Sequence, residues 1–404
     1  MPADFKKLVS ARFLFTFAVQ MQAVVVGWQV YSLTHDALAL GLIGLAEAIP
    51  ALSLALYAGY AVDSSRPVVA FRFVLGASLL SALVLLVAQP ALTEISASSR
   101  VRALYLSCLI TGAARSFSQP AIFALVPRIV PRDKLAQASA WSNSAVQIAR
   151  IGGPALGGVI YGWLGSVVSA CTVCGTLVAG LLLMSTFASM PQSSISPARE
   201  QHLREELLSG ATFVMRHPVL FPALTLDMIS VLFGGVTAIL PIYAAEILMV
   251  GPKGLGFLRA APGVAAALTS FWLAYADIRK RAGSWLFASV AGFGLTILVF
   301  ALSRNYYLSL CALGLGGGFD SVSMMIRSAA VQLVSPDAMR GRISAVNSIF
   351  IGSSNELGGF ESGVAAKLMG TVPSVLLGAA VCLATVVAIA VIFPQLKRLD
   401  LEKL

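Results

Sequence analysis

Long apolar runs separated by short polar turns set the rhythm of this chain from end to end. A helix needs about 20 apolar residues to cross a hydrocarbon layer. Twelve runs of that kind recur, over 8–32, 38–62, 68–90, 103–127, 136–161, 165–189, 219–246, 255–276, 284–303, 306–334, 343–366 and 372–394. The opening residues, MPADFKKLVSARF, are basic but lead to no small-residue cleavage site, so the first run is expected to stay as a helix.

Two stretches of the pattern resemble each other. Gly112–Ile160 reads as two apolar helices around a basic turn, and a weaker copy runs from Gly316 to Val364. At a shift of 204 residues, Gly112 meets Gly316, Asp133 meets Asp337, and Asn143-Ser144 meets Asn347-Ser348. In a chain of 404 residues that shift predicts two similar halves, an arrangement found in transporters. The one long polar break, 191–217, is expected to be a cytoplasmic linker with an amphipathic helix, leaving six-helix bundles at 1–190 and 218–404.

Composition agrees with lipid as the solvent: the chain is 58% hydrophobic and 11% charged, with mean hydropathy +0.86. The net charge of +10 invites a nucleic-acid reading, but its distribution argues against one. Lys6, Lys7, Arg66, Arg128, Arg132, Lys134, Arg279, Lys280, Arg281, Arg340, Arg342, Lys397 and Arg398 all fall on one expected side. Positive loops stay in the cytoplasm, so both termini are expected there. Cys171-x-x-Cys174 has metal or redox spacing, yet in a helix of small residues it reads as packing. No metal, cofactor or nucleic acid is expected, and no enzyme: the histidines, His35, His202 and His217, all sit in loops.

Polar residues inside the runs are the candidate chemistry. Gln22 and Gln29 share a helix face with Trp28 beside them, facing either a water-filled pathway or neighbouring helices. Arg115 and Gln119 lie one turn apart, Asn143, Gln147 and Arg150 form one stripe, and Asp320, Met324 and Arg327 form another. Gly352, Glu356, Gly359 and Gly363 form a third stripe that should seat Glu356 against a close neighbour. Each charge costs about 2.5–3.5 kcal/mol at a helix centre facing lipid. Glu47, Asp227, Asp320, Glu356, Glu361, Arg115, Arg150, Arg259 and Arg327 together would cost roughly 20–30 kcal/mol, beyond the about 5–15 kcal/mol of ordinary folding stability. They must be paired, terminal or wet. Asp227, Arg259 and Glu361 are expected near span ends as anchors.

The turn Gly59-Tyr-Ala-Val-Asp63-Ser-Ser-Arg66, with a degenerate partner around Asp277, resembles the cytoplasmic gate motif of the major facilitator superfamily. Gly153-Pro154-Ala-Leu-Gly157-Gly158 resembles that superfamily's antiporter signature on the fifth helix, although the usual fourth-helix arginine is absent at Ser107-Cys108. From Phe13 to Val364 the chain resembles one branch, which holds the enterobactin exporter, macrolide-efflux-type proteins and transmembrane secretion effectors. The resemblance implies an all-α fold of twelve membrane helices in two pseudo-symmetric six-helix bundles. It also implies proton-coupled export of a siderophore or drug-like amphipath from a bacterial inner membrane, by a protein expected to be monomeric. An importer of a nutrient or metal chelate, or a non-transporting sensor or scaffold, remain the alternatives.

Overall fold

The computed structural model describes residues 1–64, 66–187, 209–273, 275–276, 278–336 and 339–402, and among them there is no strand. Its elements are α1 (Ala3–Thr34), α2 (Ala37–Ser53), α3 (Ala55–Ser64), α4 (Pro67–Val87), α5 (Ala97–Ile129) and α6 (Leu135–Ser185). They continue with α7 (Ser209–Arg216), α8 (Leu220–Gly234), α9 (Leu240–Ile242) running into a π-turn at Tyr243–Ile247, and α10 (Gly251–Leu273). The chain closes with α11 (Ala282–Leu302), α12 (Tyr306–Val334), α13 (Arg340–Met369), α14 (Thr371–Ile392) and α15 (Pro394–Lys397).

Several expected spans are broken or fused for local reasons. The run 38–62 is two helices that part near Pro50, which has no N–H to continue the ladder. The run 219–246 breaks after Gly234, so α8 is only 15 residues long. The runs 136–161 and 165–189 are two arms of α6, joined at Gly165 with φ 82° and ψ −177°. Among the described residues, 6 helices are long and apolar enough to cross a membrane, or up to 7 if α7 and α8, bent by 93°, count as one.

The two-fold repeat is visible in the backbone, in a register one residue longer than the sequence match. The caps Val130 and Ser335 end α5 and α12, and Lys134 and Met339 precede α6 and α13 with nearly the same dihedrals. Gly165 and Gly370 (φ 91°) turn the chain at the far end of each hairpin, 205 residues apart. Only glycine adopts that left-handed backbone without steric cost. In this register Arg115 is the counterpart of Asp320, and Gln119 of Met324. Packing repeats as well: α1 lies along both arms of α6, as α8 lies along α13 and α14, and α4 joins α5 as α11 joins α12.

Polarity is inverted relative to a water-soluble helix. On α4, Ser78 and Ser81 are fully buried, while Val69, Phe73, Leu80, Leu83 and Val87, spaced along one face, are exposed. Such a helix is stable only where its outer solvent is apolar and its inner face supplies hydrogen-bond partners. Apolar side chains still fill the spaces between helices. One core gathers Phe15, Phe71, Leu75, Ile122 and Leu177, and another gathers Leu226, Leu286, Ile326 and Cys382.

By backbone proximity the chain forms two units, Met1–Ser196 with Pro241–Ala260, and Pro197–Leu240 with Ala261–Leu404. The segment Pro241–Ala260, expected in the second bundle, therefore packs with the first half. Its seam is Gly158 against Gly256: a Cβ on Gly158 would sit 2.7 Å from the Gly256 Cα. Tyr31 hydroxyl donates to Glu246, and Lys253 Nζ lies 4.8 Å from the centre of the Trp163 ring. The first unit also closes the end of α6, where Arg72 donates to the carbonyls of Met184 and Phe187 and Lys7 to that of Thr186. Cations at a helix C-terminus satisfy orphan carbonyls and favour the dipole. Most of the expected linker, up to residue 208, lies outside the described residues.

Gly158→Leu should lower unfolding stability by about 1–3 kcal/mol, whereas Gly175→Leu, with nothing within 4 Å of its Cβ position, should be near neutral. Equal melting temperatures in detergent for the two variants would contradict the seam. His217, in the turn before α8, accepts from the N–H groups of Val219 and Leu220 through Nδ1, and burial lowers its pKa from 6.5. The neutral ring is favoured in the folded chain. Its contribution is therefore present above about pH 6.5 and is lost as pH falls below that value. The melting temperature of the unmodified chain should drop on acidification through that range, and His217→Gln should flatten the drop.

Candidate functional site

The polar groups that the apolar runs enclose fall into sets, each held by helix packing. In the first unit, Gln22 of α1 is buried and its amide donates to Ser81, Ser107 and Thr111 at 2.8, 2.8 and 3.2 Å. Ser81 passes a hydrogen bond on to the Ser107 carbonyl at 2.7 Å. Gln29 donates to Gln89 at 2.6 Å, and Gln89 to the Leu85 carbonyl. Of the two alternatives for this face, the structure has neighbouring helices, because α4 and α5 carry the hydroxyls that satisfy an amide excluded from water. Trp28 beside them is half-buried.

Deeper charges in the first unit form an open cluster. Arg115 of α5 pairs with Glu47 of α2 at 2.7 Å, and the Arg115 side chain is 40% exposed. Arg12 of α1 donates to Ser142 of α6 at 2.6 Å and to Gln119 of α5 at 3.0 Å. Arg12 feels the charge of Arg150, and Arg150 that of Arg115. Asn143 and Arg150 are exposed and Gln147 is half-buried, so the predicted stripe lies along the open side of α6.

The second unit holds a closed set. Asp227 of α8 pairs with Arg327 of α12 at 2.6 Å, with both side chains less than a tenth exposed. The Arg327 Nε also approaches Ser323 at 3.3 Å. Asp320, one further turn along α12, feels both charges. It shares with Asp227, Ser230, Ser289 and Ser323 a cavity of ≈ 10 Å³, room for about one water. Two carboxylates thus line one small cavity beside a single guanidinium, which is ion-paired to Asp227.

Some expectations change here. Asp227 is not an anchor at a span end: with α8 stopping at Gly234 it lies mid-helix and buried. The close approach on α13 is made by Gly358 against Leu232, while Gly352 faces open space and Gly359 makes ordinary contact. Glu356 and Glu361 are half-buried and Met324 is exposed. The bend motif performs close packing: Gly153 and Gly157 face α1 at Gln20 and Met21, Gly158 faces α10, and Pro154 stays within the helix. At the expected gate, Gly59 has open space around it and Arg66 is exposed. Asp277 and the side chain of Asp63 lie outside the described residues.

Arg12 is what sequence reasoning missed, and Asp227 was named but read as an anchor. Arg12 sits close behind the basic N-terminus and reads as part of that flank. The pairing of Asp227 could have been found by charge matching, since Arg327 on an apolar helix demands an acid. Among the described residues there is no group of three His, Cys, Asp or Glu side chains able to hold a metal, and the five cysteines are free thiols.

The transmembrane secretion effector family matches residues 3–404. The enterobactin exporter EntS of Escherichia coli O1:K1 / APEC is 29% identical over 248 residues, covering 60% of this chain and 58% of that protein. The exporter of Shigella boydii serotype 18 gives the same values, so the match spans under two thirds of these relatives. A crystallised peptide transporter POT in complex with sulfate has TM-score 0.75 at 13% identity, covering 99% of this chain and 96% of that one. A bacterial homologue of the iron transporter ferroportin in an inward-facing state has TM-score 0.73 at 16% identity, covering 98% and 100%. These two likenesses show the fold.

Removing Arg327 alone should cost about 3–5 kcal/mol of stability, because Asp227 is left buried and unpaired. Arg327→Met combined with Asp227→Leu should recover most of that loss in denaturant unfolding. A double variant as unstable as the sum of the singles would show that the two side chains do not act as a pair.

Proposed function

We propose that this chain, which belongs to the transmembrane secretion effector family and is a membrane transporter of the major facilitator type, is a proton-coupled exporter of a small amphipathic molecule. Twelve helices in two six-helix bundles would give it alternating access in a bacterial inner membrane, with both termini cytoplasmic. The names of its relatives favour enterobactin or another siderophore as substrate, with drug-like compounds next.

The observation that carries the coupling is the set formed by Asp227, Asp320 and Arg327. A carboxylate in excess over its cations, inside a membrane domain, is a proton site by charge balance. Of the two acids, Asp227 is fixed by its ion pair, and Asp320 is the one whose charge is not matched by a guanidinium of its own. Proton uptake at Asp320 would alter the balance around Arg327 on α12, which is how a proton gradient would bias the two access states.

In inside-out vesicles acidified inside, enterobactin should accumulate in the lumen, and Asp320→Asn should abolish the acid-driven part. Uptake by right-side-out vesicles under the opposite arrangement would make the protein an importer. Undiminished proton-driven transport by Asp320→Asn would remove that acid as the coupling group.

A further inference from the structure

The open cluster of the first unit extends beyond the groups considered so far. Arg12 is held by Ser142 and Gln119, and Arg150 and Arg115 follow within electrostatic reach of one another. Glu47, paired with Arg115, also feels Arg259 of α10, a residue of the segment that packs with this unit. The Arg259 Nε is buried without a hydrogen-bond partner among the described residues. Arg12 and Arg115 are thus fixed by hydrogen bonds and an ion pair, with Arg150 and Arg259 on two further helices of the same unit. Arg12 lies nine residues into α1, roughly 14 Å along it, and Arg150 fifteen residues into α6, roughly 22 Å along it, so the line has depth.

Gathering like charges inside a membrane domain is unfavourable unless a counter-charge arrives. Elsewhere the chain avoids it: Arg72 is spent on helix-end carbonyls and Arg327 on Asp227. Here Arg115, Gln119 and Arg150 are exposed on the unit's surface, which suits a group that enters and leaves. Guanidinium forks match planar oxyanions.

We propose that Arg12, Arg115, Arg150 and Arg259 form a binding track for an anionic solute, a carboxylate-bearing amphipath whose oxygens supply counter-charge to the excess of guanidinium groups. This rests on the transporter reading and names its substrate class. Glu47 then serves as the internal occupant that holds Arg115 when the track is empty. A neutral or cationic solute would gain nothing from this arrangement.

The test is equilibrium binding to the purified protein in phosphatidylcholine nanodiscs, using carboxyfluorescein and rhodamine 6G, which share a ring system and differ in charge. Carboxyfluorescein should bind saturably and more weakly as salt rises, and Arg12→Gln or Arg150→Gln should weaken it about tenfold. Arg12→Lys and Arg150→Lys keep the charge and should retain most of the binding, which separates the track from misfolding. Absent carboxyfluorescein binding, binding unchanged in both Gln variants, or tighter binding of rhodamine 6G would each overturn the proposal. Displacement of the dye by phosphatidylglycerol in the disc would assign the anion to lipid and overturn it too. No gradient is applied, so failure here with proton-driven flux intact removes the anion track alone. Loss of flux with binding intact removes only the exporter reading.

Discussion

A peptide group that leaves its helix inside hydrocarbon finds no water to replace the lost hydrogen bond. That single constraint explains why the described chain is helix with short turns, and why its helices are polar inward and apolar outward. Ser78, Ser81, Ser107 and Thr111 meet Gln22 in the interior, where a soluble protein would place aliphatic side chains. Where the chain turns at Gly165 and Gly370, it does so through left-handed backbone that glycine adopts freely.

The same economy governs charge, and it separates the two halves. The hairpin α5–α6 and its counterpart α12–α13 share caps and turns, yet matched positions carry Arg115 in one and Asp320 in the other. In the first unit the cations outnumber the acid and lie open; in the second the acids outnumber the cation and lie closed. Backbone symmetry is thus kept while electrostatic symmetry is given up, which is what two halves with different tasks require.

Helix positions and the repeat were legible because apolar run length and the glycine-rich turns are local signals. The exact register was not: the match of Asp133 to Asp337 favoured 204, whereas the caps and the turning glycines set 205. The depth of Asp227 was misjudged because the run 219–246 looked continuous, and only the break after Gly234 makes that residue central. The glutamines were recognised as needing partners, but those of Gln22 are small hydroxyls on α4 and α5 and that of Gln29 is the amide of Gln89, groups too common in sequence to be singled out. The glycine of close approach on α13 is Gly358, next to the Gly359 that the stripe pointed to.

The single-residue turn at Gly165 bears on how the protein is made. The arms of α6 have no loop between them, and the stretch from Ile151 to Phe187 contains no charged side chain. There is no polar segment to be carried across the bilayer on its own account, so the two arms can enter the membrane together as a preformed hairpin. The basic turn before α6 would then stay at the face from which the hairpin entered.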